Sequence, residues 1–312
     1  MKALVTGATG FVGNYLVNHL LQSGDEVCGT YIVIDGVADS GKVDGCKYVE
    51  CDVTDEKSAK QLVADFQPDV VYHLAAIAFV PEAEGNFSKA LEVNVAGTNS
   101  IIRACTMLDK KVNFLFISSA EVYGRSTTFP VTEENSINPN NNYSLSKIMA
   151  EFVVNRYTNA NQIAGVIVRP FNHIGPFQND RFVTSSFAKQ LALIANKKAE
   201  PKLSVGNLTS KRDFSDVRDI VRAYRLAALK GSGVYNLCSG QAYSIQEILD
   251  TLIKISGLDV TIEQDPKRMR PSDTPINYGS YAKAERELGW RPEIKLEDTL
   301  CDIYSYWLKQ TR

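Results

Sequence analysis

The sequence predicts an α/β fold, a doubly wound parallel sheet with a smaller C-terminal α/β lobe, and three observations carry that prediction. Short β-branched runs alternate with amphipathic stretches through the first half of the chain, the sequence form of strands joined by helical crossovers. A glycine-rich turn separates the first of those strands from the first helical stretch. After Arg169 the pattern changes to shorter elements punctuated by Pro170, Gly175, Pro176, Pro201 and Gly206.

Taken in order, strands are expected from Lys2 to Thr6, Glu26 to Ile34, Lys47 to Cys51, Val70 to Leu74, Asn113 to Ser118 and Ala164 to Arg169. Val70-Val71-Tyr72-His73-Leu74 and Phe114-Leu115-Phe116-Ile117 are nearly apolar throughout, as parallel strands covered on both faces should be. Helices are expected from Phe11 to Ser23, Glu56 to Phe66, Phe87 to Leu108 and Ser144 to Thr158. The first places Val12, Leu16 and Leu20 on one stripe and Asn14 and Asn18 on another face. Asp265 to Pro275 is a polar, proline-bearing loop, whereas Gly233-Val234-Tyr235-Asn236-Leu237 reads as a further strand returning to the main sheet. The expected division is therefore a first domain over 1–169, joined by about 215–240, and a second lobe made mainly of 170–312.

Composition excludes several classes. The 312 residues, 44% of them hydrophobic, suffice for a substantial core, and 34 basic against 36 acidic side chains leave a net charge of -2. A nucleic-acid binder would show a basic excess. The longest nearly apolar run, Asp69 to Val80, is about twelve residues long and includes His73, short of the roughly 20 that a membrane helix needs. The opening residues reach glycine before any leader-length apolar segment develops, so the expected compartment is the cytoplasm. Six scattered cysteines without a CxxC pair, and three histidines, predict reduced thiols and no metal site.

The turn after the first strand reads Thr6-Gly7-Ala8-Thr9-Gly10-Phe11-Val12-Gly13, a G-x-x-G-x-x-G spacing. Missing side chains let backbone approach a pyrophosphate, whose charge then lies at a positive helix N-terminus. This marks the first domain as dinucleotide-binding, a Rossmann arrangement. Which nicotinamide cofactor it takes turns on where the second strand ends. If it stops at Thr30 or Tyr31, no carboxylate meets the ribose and Thr30 can bond a 2′-phosphate; if it runs to Ile34, Asp35 can serve NAD. The reading leans to NADP, with NAD as the alternative. Asp52, past the third strand, has two readings, a hydrogen bond to the adenine edge or the cap of the following helix.

Tyr143 and Lys147 stand four apart at the start of an expected helix, which puts both on one face. A phenol titrates at about 10 in water, so proton transfer near neutral pH calls for a nearby positive charge, and Lys147 can supply it. The fifth strand ends at Ser118-Ser119-Ala120-Glu121, and ligands of open α/β sheets bind beyond such carboxyl ends. Ser119, Tyr143 and Lys147 would converge there. His73 and His173 read as structural, and His19 as a surface or packing residue.

Further segments are Asp52-Val53, His73-Leu74-Ala75-Ala76, Asn94-Val95-Ala96-Gly97-Thr98, Arg169-Pro170-Phe171-Asn172 and Leu288-Gly289-Trp290-Arg291-Pro292. With the glycine turn, Ser118-Ser119 and the Tyr143/Lys147 pair, the whole chain resembles the extended short-chain dehydrogenase/reductase family in its nucleotide-sugar branch. Arg169 through Pro176, Phe182-Val183-Thr184, Gly206-Asn207-Leu208, Arg212-Asp213-Phe214 and Leu237-Cys238-Ser239-Gly240 are most similar to that family's GDP-4-keto-6-deoxy-D-mannose reductases, which form GDP-D-rhamnose.

The resemblance implies reduction of a GDP-linked 4-keto-6-deoxyhexose at C4 by NAD(P)H. Tyr143 would give a proton to the sugar O4, Ser119 would hold that oxygen, and Lys147 would also grip the nicotinamide ribose. It implies cofactor contacts from Gly7, Gly10, Phe11, Val12, Gly13, Thr30, Asp52, Val53, Leu74, Ala75, Ala76, Asn94, Lys147 and Arg169. Substrate contacts are implied for Ser119, Glu121, Asn172, Val183, Lys189, Arg212, Arg270 and Asp273. The alternative for Arg270 is a solvated charge cluster, and for Arg212 a surface ion pair with Asp213 or Asp216. Ser119-Ala120-Glu121 lacks the aspartate of the family's Asp-Glu dehydratases but keeps the glutamate. A dehydratase or 4-epimerase with retained cofactor is thus the second reading, and a non-catalytic NAD(P) sensor the third. The family commonly dimerises through two long helices, here Phe87 to Leu108 and Ser144 to Thr158, so a homodimer is expected.

Overall fold

Alternation along the strands decides which residues face which layer. In the computed structural model, which describes residues 1–34, 37–38, 41–269 and 274–312, seven strands form one parallel sheet. They are β1 (Lys2–Thr6), β2 (Glu26–Tyr31), β3 (Lys47–Glu50), β4 (Val70–His73), β5 (Asn113–Ile117), β6 (Ala164–Pro170) and β7 (Gly233–Leu237). Their order is β7-β6-β5-β4-β1-β2-β3. Asp35, Arg270 and Asp273 lie outside the described residues.

The helices are α1 (Phe11–Gln22), α2 (Glu56–Phe66), α3 (Val80–Gly85), α4 (Phe87–Leu91), α5 (Thr98–Cys105), α6 (Asn142–Asn159), α7 (Val183–Ala195), α8 (Val217–Lys230), α9 (Ile245–Ser256), α10 (Ala282–Leu288) and α11 (Leu296–Gln310). Val5, Tyr72, Leu115 and Val168 pack on one side of the sheet with Leu16 and Leu20 of α1 and Ile220 and Tyr224 of α8. Their neighbours Leu4, Val71, Phe116 and Ile167 pack on the other side with Leu62 of α2, Ile101 of α5 and Val154 of α6. Period-2 side chains thus feed two cores from one sheet. A third core joins Phe187 and Leu191 of α7 to Ile248 and Leu252 of α9 and Leu300 and Ile303 of α11.

Two expected elements end differently. The second strand stops at Tyr31, its last partner being Glu50 at the end of β3; Val33–Ile34 pairs instead with Val37–Ala38. The helix expected from Phe87 to Leu108 is broken by a π-helical turn at Glu92–Gly97. There the buried Asn94 side chain accepts from Ile77 N at 2.8 Å and donates to Ile77 O and Ser146 Oγ. Wide turns of this kind recur at functional sites.

Candidate active site

The strand order reverses between β1 and β4, and the loops at that switch point form the crevice where open sheets bind ligands. After β1 the chain turns through Gly7 at φ +69°, where an added Cβ would lie 2.9 Å from Ala75 N. At Gly13 an added Cβ would lie 2.4 Å from Gly7 O. Glycine is therefore required at both, once for the left-handed backbone and once for the packing of α1 on the loop. Gly10 is the N-cap of α1 and makes no side-chain cap, and no acidic residue occupies the first turn. Gly10 is exposed and Phe11 and Val12 are half-buried. A bare positive helix end behind a side-chain-free loop fits a dinucleotide pyrophosphate; Gly10, Phe11, Val12 and Gly13 would hold it.

Around this loop the hydrogen bonds are directional. Thr98 Oγ1 donates to Asn94 O at 2.6 Å, so it accepts from His73 Nε2 at 3.0 Å. The bare Nδ1 of His73 then accepts from Thr6 Oγ1 at 2.9 Å, and Thr6 Oγ1 accepts from Ala75 N. This tautomer is assigned from the network. Burial holds the His73 imidazole down at about 3, so it stays neutral. Leu74, Ala75 and Ala76, half-buried after β4, are thereby fixed beside Gly7. Val53 fills the space against Gly97.

Two cofactor expectations change, and for Asp52 the helix-cap alternative is removed. Thr30 is 2% exposed and its hydroxyl accepts from Gly7 N at 3.1 Å; it pins the loop from behind rather than facing a 2′-phosphate. Asp52 does not cap α2, since Asp55 accepts from Lys57 N there. The exposed Asp52 side chain instead accepts from Thr54 N and Thr54 Oγ1 through Oδ1. Arg169 is buried and already engaged: its fork donates to Glu151 at 2.9 and 2.6 Å and to Tyr123 OH at 2.9 Å. Arg169 is an architectural cation because Glu151, also bonded by Ser118, needs a buried partner.

The catalytic candidates come together at the ends of β5 and α6. Asn141 caps α6 in a capping box with Ser144, and Asn94 reaches Ser146, whose hydroxyl donates to Tyr143 O at 2.7 Å. The first turn of α6 is thus fixed from outside the helix. Tyr143 and Lys147 are 8% and 4% exposed, and Ser119 is 9% exposed. Burial pushes the Tyr143 phenol up to about 12; hydrogen bonding with Ser119 draws it down and the charge of Glu121 raises it. Desolvation outweighs the influences that lower it, so in this structure the phenol is less acidic than in water rather than more acidic, as the spacing to Lys147 led one to expect. Burial also brings the Lys147 ammonium down to about 7, against the opposing pull of Glu151. Its Nζ lies 4.7 Å from the centre of the Phe116 ring. At neutral pH the site therefore holds an intact phenolic proton beside an amine poised between its charged and neutral forms. Glu121 accepts from Asn141 at 3.3 Å.

The expected substrate residues are more dispersed. Asn172 is exposed and donates to Asp213 O at 3.2 Å. Val183 opens α7. Lys189 is tied to Asp180 at 2.6 Å. Arg212 donates to Thr274 O at 2.6 Å and Lys211 O at 2.9 Å. Neither Asp213 nor Asp216 uses the bonds expected of an Arg212 pair: Asp216 caps α8 and bridges Arg218, and Asp213 accepts from Ser239 N, Ser239 Oγ and Gly240 N. Sequence reasoning missed Asp213, which clamps the loop after β7, and Glu151. The signal for Glu151 was its place one helical turn beyond Lys147. Among the described residues no cluster of metal ligands occurs, and no helix is long and apolar enough to cross a membrane.

Residues 4–303 match the family model for GDP-mannose 4,6 dehydratase. The chain is 38% identical to GDP-6-deoxy-D-mannose reductase of Pseudomonas aeruginosa over 249 residues, 78% of this chain and 82% of that one. Its fold matches the structure of RMD from Pseudomonas aeruginosa complexed with NADPH at a TM-score of 0.85 and 32% identity, covering 99% of both chains. It also matches UDP-glucose 4-epimerase of Thermotoga maritima with UDP-glucose at a TM-score of 0.89 and 26% identity, over 100% of both. The chain belongs to the GDP-mannose 4,6-dehydratase family, within the extended short-chain dehydrogenases/reductases, and is an NAD(P)-dependent nucleotide-sugar oxidoreductase by class.

Proposed function

We propose that this protein uses NADPH to reduce the C4 ketone of GDP-4-keto-6-deoxy-D-mannose, giving a GDP-6-deoxyhexose such as GDP-D-rhamnose. One observation carries the reading: a buried phenol that keeps its proton, one turn of α6 from a buried and weakly compensated ammonium. The identity to the Pseudomonas aeruginosa reductase supports the substrate. Bound NADPH supplies the hydride. Tyr143 donates its phenolic proton to O4 as negative charge develops there, the work of a general acid. Ser119 hydrogen-bonds the same oxygen, and Lys147 stabilises the phenolate left behind.

Residues 1–169 with about 215–240 serve the cofactor in this reading, and the rest of 170–312 serves the nucleotide sugar. Arg212 and Asn172 meet the diphosphate, with Val183 beside the nucleoside; Lys189 reaches the base on leaving Asp180. Arg270 and Asp273 complete the substrate set. The protein acts as a homodimer through α6, whose Leu145, Met149 and Phe152 recur at helical spacing and are 38%, 39% and 69% exposed. Six free thiols suit the cytoplasm.

The test mixes the protein with NADPH and GDP-4-keto-6-deoxy-D-mannose and follows reduced-nicotinamide absorbance and the sugar product. One cofactor oxidised per sugar reduced is expected. Sugar rearranged at constant absorbance would instead assign a 4-epimerase or dehydratase that retains its cofactor.

A further inference from the structure

We propose that Lys42 is the residue that selects the 2′-phosphorylated cofactor over NAD(H), a proposal that rests on the NADPH-dependent reading above. In a dinucleotide site the adenosine ribose lies where the second strand ends, and an acidic side chain there favours the free 2′-hydroxyl. Here β2 ends at Tyr31, followed by Ile32 and Val33, and Thr30 is turned into the loop. None of these offers either a carboxylate or a cation.

A cation arrives from further along the chain. Gly41 packs directly on the glycine turn: a Cβ there would lie 2.6 Å from Thr9 O and 2.4 Å from Asn14 Nδ2. Two residues later, Val43 N donates to Tyr48 OH of β3 at 2.9 Å. The segment is thus pinned on both sides of Lys42. Its Nζ stands 4.0 Å from the centre of the Tyr31 ring and 5.7 Å from that of Tyr48. The ammonium therefore lies over the last residue of β2, one residue from contact with the pyrophosphate loop. Among the described residues no carboxylate forms an ion pair with it. Lys42 rests its side chain on aromatic faces while the residue stays exposed to a further partner, and a compact ammonium binds a phosphate as a point charge.

The experiment compares wild type, Lys42→Gln and Lys42→Arg by nicotinamide fluorescence on titration with NADPH and with NADH, and by the thermal shift each dinucleotide produces. Lys42 is exposed, so the unliganded melting temperature should not move. For Lys42→Gln the NADPH Kd should rise about tenfold, the loss of one charge-assisted contact, with NADH affinity unchanged and Lys42→Arg close to wild type. Equal changes for both dinucleotides, no change, or a wild type that prefers NADH would overturn the role of Lys42. If wild type binds neither dinucleotide, the reductase reading fails together with it.

Discussion

Lys147 and Arg169 are both buried cations that feel the same carboxylate, Glu151, yet they are held in opposite ways. Arg169 meets Glu151 fork to fork and takes Tyr123 as a third partner, so its charge is secured at every pH. Lys147, one turn earlier on α6, has the face of Phe116 and only the field of Glu151 to offset its burial, and falls to about 7. A compensated charge builds architecture. An under-compensated one costs stability until negative charge appears beside it, which is the condition for stabilising a phenolate as it forms.

The contrast breaks most visibly at Arg169. Arg169→Met leaves Glu151 buried and without its fork, and should cost ~3–5 kcal/mol, read as a lower urea midpoint; a loss below ~1 kcal/mol would show that Glu151 finds other partners. Lys147→Met should do the reverse. The folded-state value of Lys147 lies below the 10.5 of a solvated lysine, so between those values the unfolded chain binds a proton that the folded chain does not. Stability contributed by this group therefore rises as pH climbs from about 7 towards 10.5. Removing it should stabilise the free protein by ~2–4 kcal/mol below pH 7, with the gain shrinking at alkaline pH, while turnover is lost. Equal destabilisation at pH 6 and pH 9 would mean that Lys147 is a packing residue. The smallest effect is expected at Glu121. Glu121→Gln takes away a charge that raises the Tyr143 phenol and should change kcat of ketone reduction by less than about tenfold. A much larger loss, with sugar elimination measured in parallel, would favour a dehydratase.

Much of this was legible because it is local. The glycine turn, the Tyr143/Lys147 spacing and six of the seven strands follow from residues close in sequence, and β4 and β5 announce burial by being apolar on both faces. What escaped needed tertiary partners. Arg169 looked like a ligand contact because Glu151, 18 positions away, meets it only when α6 lies on β6. The end of β2 depended on where β3 ran out of pairing residues, and with it the fate of Thr30. The break in the helix at Asn94 follows from hydrogen bonds to Ile77 and Ser146, neither of which helical periodicity reveals. The raised phenol of Tyr143 reflects how deeply the site is enclosed, a property of packing and not of spacing.

The assignment of Tyr143 as proton donor is tested most directly by Tyr143→Phe, with turnover of GDP-4-keto-6-deoxy-D-mannose and NADPH affinity measured on one preparation. Loss of turnover by at least about a hundredfold, with affinity for NADPH within a few fold of wild type, is the predicted result. Turnover at the wild-type rate would contradict it.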